Sequence, residues 1–197
     1  MEHRDSIASK YGMWFFLVTE LIFFGGLFML YSIFREEHPE EFHAAARDEN
    51  IVLGTLNTAV LLTSSLTIAL SIAALRKGSR RLSYFLQAAT VLQGLAFLVV
   101  KYFEWNDKIV RGVYPDSPVL LQKSHGEIVF FSLYYAMTGL HGLHVLVGIV
   151  VISFMMYYTA KGTIGARNAV MLENTGLYWH FVDIVWIYLF PLFYLVT

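Results

Sequence analysis

The sequence predicts an all-α fold, a polytopic membrane bundle of five transmembrane helices, on two observations. Hydrophobic residues make up 57% and aromatic residues 16% of the 197 positions, more than a water-soluble domain of that length needs for its core. Five stretches, 12–34, 51–75, 82–103, 127–158 and 174–196, are apolar over the roughly 20 residues that a helix needs to cross a hydrocarbon core of about 30 Å. The apolar runs are continuous rather than alternating, which argues against a transmembrane barrel, and a helix satisfies its backbone within its own segment.

The first segment carries one carboxyl, Glu20, between Trp14-Phe15-Phe16-Leu17-Val18-Thr19 and Leu21-Ile22-Phe23-Phe24. It follows a mixed-charge stretch, Glu2-His3-Arg4-Asp5, and lacks a small-residue cleavage site, so it is expected to be retained rather than removed as a signal peptide. The second segment places Asn57, Thr63, Ser64, Ser65 and Thr67 in apolar surroundings, where hydroxyls bond their own helix or join neighbouring helices. The third holds Gln87 and Gln93 and leads into a loop over 104–126, whose Tyr114-Pro115-Asp116-Ser117-Pro118 marks irregular backbone. The fourth carries His141 and His144, and its Gly139, Gly142 and Gly148, like Gly25-Gly26 of the first, predict close helix contacts. The fifth carries His180 and Asp183, three apart on one helix face.

Arg4, Lys10, Arg76, Lys77, Arg80, Arg81, Lys161 and Arg167 fall on the side of the N-terminus, with the tight Arg76-Lys77-Gly78-Ser79-Arg80-Arg81 turn as the strongest orienting element. Short basic loops stay inside, which places the N-terminus in the cytoplasm and, five spans on, the C-terminus on the opposite side. The acidic residues of Arg35-Glu36-Glu37-His38-Pro39-Glu40-Glu41, on the other side, read as a solvated rim rather than a docking patch for a basic protein. The absence of cysteine excludes disulfides, thiolate metal sites and cysteine nucleophiles. No repeat or linker divides residues 1–197, which read as a single transmembrane domain.

Ionisable side chains at membrane depth are costly and carry the functional content. Without a partner Glu20 keeps its proton, and His180 or Asp183, entering the membrane from the same side, is a candidate partner. The spacing of His141 and His144 turns both imidazoles to one helix face, and with His180, Asp183 and Glu20 they could assemble a first-row metal site. Against a metal, the helix lacks the acidic companion that di-iron bundles use. Haem ligation by His144 and His180 meets Trp179, Trp186 and Tyr188 crowding the second histidine.

Four ordered blocks resemble subunit III of the haem-copper oxidases, the family of cytochrome c and quinol oxidases. They are Phe16-Leu17-Val18-Thr19-Glu20-Leu21-Ile22-Phe23-Phe24, Leu56-Asn57-Thr58-Ala59-Val60-Leu61-Leu62, Thr138-Gly139-Leu140-His141-Gly142-Leu143-His144-Val145 and Tyr178-Trp179-His180-Phe181-Val182-Asp183-Ile184-Val185-Trp186. The resemblance implies a non-catalytic subunit with no cofactor or metal of its own, packed against a catalytic subunit I that holds haems and copper, with subunit II beside it. It stabilises the catalytic subunit, supports proton uptake during oxygen reduction and binds phospholipid in a cleft between helix groups; assembly into a respiratory supercomplex is compatible with it, and nucleic acid is no partner.

The resemblance carries Glu20 over as a carbodiimide-reactive carboxyl, linked with Asp183 to protons, and His141, His144 and His180 as buried polar scaffold. Asn57 and Glu104 match more loosely. Val100-Lys101-Tyr102-Phe103-Glu104-Trp105 departs from the family pattern by a lysine, which either pairs with Glu104 or snorkels to the interface. Two N-terminal helices of longer members have no counterpart, so the chain resembles the short five-helix bacterial form, and the wall of the lipid cleft is then left open. An accessory subunit of a nitric oxide reductase is the nearest alternative. A free-standing proton-linked transporter is the alternative from another class, and it lacks the broken helices and inverted repeats of a midplane substrate site.

Overall fold

The computed structural model describes residues 2–166 and 168–195, with side chains from Ile7 onward apart from Arg167. The charges of Arg4 and Arg167 and the end of the fifth expected span at Val196 lie outside the described residues. There are five long helices, α1 (Glu2–Glu37), α3 (Ile51–Arg76), α4 (Arg80–Val110), α5 (His125–Lys161) and α6 (Val170–Phe190), with a short helix, α2 (Pro39–Ala46), between α1 and α3 and a 3-10 turn at Leu120–Gln122 before α5. Each of the five long helices contains a stretch apolar and long enough to cross a membrane.

Helices α3 and α4 form an antiparallel hairpin whose facing seams follow the heptad rule. Gly54, Asn57, Leu61, Ser64, Ile68 and Ser71 are buried on α3, and Ser83, Gln87, Thr90, Gly94, Phe97, Lys101, Glu104 and Lys108 on α4. Steps of alternating three and four residues keep one face turned to a neighbour with left-handed crossing. Because lipid is as apolar as leucine, polar bonds and close packing hold such a seam. Thr67 meets Thr90 at 2.8 Å and Gln93 at 3.1 Å, Ser71 meets Ser83 at 3.0 Å, and Gln87 donates to Thr159 of α5 at 3.2 Å.

Helix α6 is the central element, packed on α1, α3 and α5. Its indoles tie it to α3: Trp179 donates to Ser64 at 2.9 Å and Trp186 to Thr58 at 3.0 Å. The α-helix ends at Phe190 and a π turn follows at Pro191–Leu195, where the Leu192 carbonyl accepts from the Tyr31 hydroxyl of α1 at 2.5 Å. Helix α5 starts with a capping box between Ser124 and Glu127, and ends at Gly162 in the left-handed region (φ 77°).

Two expectations need correction. The third span does not give way to a loop at Glu104: α4 runs on to Val110, because Lys101, Glu104 and Lys108 continue its buried seam and no breaker precedes Gly112 (φ 75°). The acidic segment expected as a solvated rim is one, carried on the end of α1 and the start of α2. Pro39 starts α2, which buries Phe42, Ala45 and Ala46, with Phe42 edge-on to Phe130 of α5 at 5.4 Å; Glu36, Glu37 and Glu40 remain exposed. Gly25 and Gly26 meet no close helix, since a β-carbon at either would have no heavy atom within 4 Å, whereas Gly148 and Gly139 face Trp179 and Trp105.

Candidate functional site

Glu20 finds its partner on α5 rather than α6. Its Oε2 lies 3.1 Å from His144 Nε2, and His144 Nδ1 lies 2.8 Å from the Leu140 carbonyl. A carbonyl only accepts, so Nδ1 carries a hydrogen and donates it. A single proton is then shared between Nε2 and Oε2, either as acid on imidazole or as carboxylate on imidazolium. In both forms the pair sums to zero charge, which lowers the cost of holding two ionisable groups in hydrocarbon. The pair is half-buried, with side-chain exposures of 19% for Glu20 and 17% for His144, at the crease between α1 and α5. Phe24 packs edge-on to the imidazole at 5.2 Å, and Tyr178 donates to the His144 carbonyl at 3.0 Å.

The other expected residues do not join this pair. His141, three positions before His144, points into the interior, fully buried between Phe97 (5.4 Å) and Trp186 (5.1 Å), and neither ring nitrogen has a hydrogen-bond partner. His180 is half-buried and oriented by Ser65 of α3, at 2.6 Å from Nδ1. Asp183 does not orient it: both of its oxygens are buried without a partner. Asn57 is likewise fully buried with both amide atoms unpartnered. The two histidines of α5 and the histidine and aspartate of α6 therefore serve different contacts. Among the described residues no three histidine or acidic side chains converge as a metal site would require.

A second polar cluster occupies the opposite end of the bundle. Lys101 does not snorkel; its ammonium donates to Glu104 Oε1 (3.2 Å), the Tyr134 hydroxyl (3.0 Å) and the Tyr194 hydroxyl (2.6 Å). Tyr194 donates in turn to Glu104 Oε1 at 2.5 Å, as does Tyr134. The three ammonium hydrogens are thus all used, and the faces of Tyr134 and Trp186 lie 4.8 and 5.1 Å from the charge. One turn on, Lys108 pairs with Glu49 at 2.8 Å and fastens the α2–α3 connection to α4. All four charged residues are buried. Sequence reasoning weighed the Lys101–Glu104 contact and missed Glu49 and Lys108; their signal was the step of three and four that extends α4's seam.

Glu49 lies outside the membrane-spanning helices, and burial pushes its carboxyl up to about 7 against the pull of the Lys108 charge. A carboxyl held above its unfolded value of 4.5 contributes stability that is present below pH about 4.5 and lost as the pH rises through about 7. Glu49→Gln cannot titrate. The wild-type Tm minus that of Glu49→Gln should therefore fall between pH about 4.5 and 7; a difference independent of pH would contradict the raised value.

A family model described as cytochrome c oxidase subunit III matches residues 3–197. A cytochrome c oxidase subunit 3 from Alkalihalophilus pseudofirmus is 33% identical, over 93% of this chain and 84% of its own. A cytochrome bo(3) ubiquinol oxidase subunit 3 from Pseudomonas aeruginosa is 28% identical over 98% of this chain and 87% of its own. A haem-copper oxidase subunit I+III from Aeropyrum pernix is 29% identical over 98% of this chain, which spans only 23% of that protein.

Proposed function

This chain belongs to the cytochrome c oxidase subunit III family, and we propose that it acts as the non-catalytic subunit III of a haem-copper terminal oxidase, supporting proton uptake at the catalytic subunit. The observation that carries the proton-linked part is the Glu20–His144 pair: a carboxyl and an imidazole 3.1 Å apart at the half-buried crease of α1 and α5. Such a pair can pass its proton between carboxyl and imidazole without leaving a net charge at depth. The polar cluster around Lys101 and the Trp179 and Trp186 bonds support a rigid scaffold against which a catalytic subunit can pack. In this reading haems and copper belong to subunit I and its companion subunit II, the N-terminus lies in the cytoplasm, and phospholipid fills surfaces that no protein covers. The occurrence of subunits I and III in one chain in Aeropyrum pernix supports their close packing.

Purification through a tag on this chain in mild detergent tests the reading. It should recover a haem-copper subunit I with a reduced-minus-oxidised haem spectrum; a colourless chain that purifies alone would overturn it. The pair has its own test. Glu20→Gln keeps a donor for His144 Nε2 but gives up no proton, so the complex should assemble with normal haem content and initial oxygen-reduction rate, lose carbodiimide labelling and inactivate sooner during turnover. Complete loss of the initial rate in a fully assembled complex would contradict a supporting role.

A further inference from the structure

A series of five oxidisable rings runs from the bundle surface into the Lys101–Glu104 cluster. It starts at Trp105, which is half-buried and lines two open grooves, of about 630 and 250 Å³, between α4 and α5. Ring centroids then follow at 5.1 Å to Tyr135, 5.4 Å to Tyr134, 6.5 Å to Tyr194 and 6.3 Å to Trp186. Indole and phenol are, with the sulfur side chains, the groups that lose one electron most easily, and this chain has no cysteine to be oxidised first. Tyr134 and Tyr194 are fully buried, so a radical formed there is shielded from solvent.

The five rings differ in where a proton can go. Removing an electron turns a phenol into a very strong acid, so its oxidation is easy only where a base already accepts the hydrogen bond. Among the five, Tyr134 and Tyr194 alone donate to a carboxylate, and both reach the same oxygen, Glu104 Oε1. Tyr135 donates to the Val113 carbonyl and Trp186 to the Thr58 hydroxyl, neither of which keeps a proton, and the Trp105 nitrogen has no partner. Lys101 donates to both phenol oxygens, at 3.0 and 2.6 Å. Its ammonium has no lone pair, so it fixes the two oxygens and cannot take their protons. An electron hole entering at Trp105 therefore comes to rest at the two phenols that have a base.

We propose that Trp105, Tyr135, Tyr134 and Tyr194 conduct an oxidising equivalent inward and hold it as a phenoxyl radical, with the released proton on Glu104. The incoming reagent is a strong one-electron oxidant of the oxygen-radical class, reduced by one electron as Trp105 loses one. The hole passes along the rings. At Tyr134 or Tyr194 the O–H bond breaks and its proton moves to Glu104 Oε1, so that phenol and carboxylate become phenoxyl radical and carboxylic acid. One electron from a reductant, with the proton returned from Glu104, restores the phenol. These residues all belong to this chain, so the trap is independent of the oxidase reading.

The test uses the full chain in mild detergent with photogenerated ruthenium(III) tris-bipyridine as the oxidant, read by time-resolved absorption and electron paramagnetic resonance. A long-lived neutral tyrosyl radical should form, and form more slowly in deuterated water because a proton moves with the electron. Tyr134→Phe with Tyr194→Phe, which keeps both rings and the Lys101–Glu104 pair, should abolish it. Glu104→Gln should slow its formation about 100-fold, the lower end of what a positioned base contributes. Tyr102→Phe, which removes an exposed phenol outside the ring series, should leave it unchanged. If the double variant fails to accumulate, Tyr135→Phe, which leaves the cluster untouched, should still lower the radical yield. A long-lived radical that survives in the double variant, forms at the same rate in deuterated water, is undiminished by Tyr135→Phe or is lost with Tyr102→Phe would overturn the proposal.

Discussion

Lys101→Met is expected to destabilise the bundle by about 3–5 kcal/mol, the cost of removing one partner from a buried ion pair. The ammonium binds Glu104 and two tyrosine hydroxyls that themselves point at Glu104 Oε1, while Oε2 has no partner at all. With methionine at 101 the carboxylate loses the ammonium bound to it, and Lys108, one turn on, is already paired with Glu49. Replacing both residues, as Lys101→Met with Glu104→Leu, removes the stranded charge and should recover most of the loss, since well-packed apolar residues often substitute for a buried pair at little cost. Unfolding in mild detergent against increasing denaturant would read both variants. A single variant within about 1 kcal/mol of wild type, or a double variant as unstable as the single, would show that the cluster is not held as a charged pair.

The five spans were legible because apolar length is a property of composition, indifferent to what each residue touches. The extension of α4 was not, because Lys101, Glu104 and Lys108 read as the polar end of a span when only hydropathy is counted. Their spacing carried the information that their polarity hid: the steps 94, 97, 101, 104, 108 continue those of 83, 87, 90. Helix α2 was concealed in the same way, since Phe42, Ala45 and Ala46 are too few to give an apolar run amid glutamates.

The site was legible as a set of residues and not as a set of contacts. Glu20 and His144 lie 124 positions apart, and no local pattern links them. A spacing of three on α5 says that His141 and His144 share a face, yet they differ by about 60° around the helix, enough to send one between Phe97 and Trp186 and the other to α1. Likewise, the three-residue step puts His180 and Asp183 on one face of α6, but the group bonded to His180 is Ser65 of α3. Periodicity gives the direction of a side chain; the partner depends on which helix stands there.

Gly148→Leu is the packing change expected to do most damage, because the indole of Trp179 sits against two glycine backbones. A β-carbon at Gly94 of α4 would come within 2.8 Å of the ring, and one at Gly148 of α5 within 2.7 Å. Trp179 is fully buried and its nitrogen is bound to Ser64 of α3, so the ring cannot retreat without breaking that bond. Overpacking usually costs about 1–3 kcal/mol when neighbours can shift. Here the rigid ring joins α3, α4 and α5 to the central helix, and a leucine must push whole helices apart; the variant should fail to accumulate in membranes. Trp179→Ala, which leaves a cavity, should cost about 3–5 kcal/mol on its own. Combined with Gly148→Leu it should restore accumulation, as the leucine takes part of the vacated volume. A Gly148→Leu chain that accumulates and resists unfolding like wild type would show that the indole has room to move and that this junction does not fix the bundle.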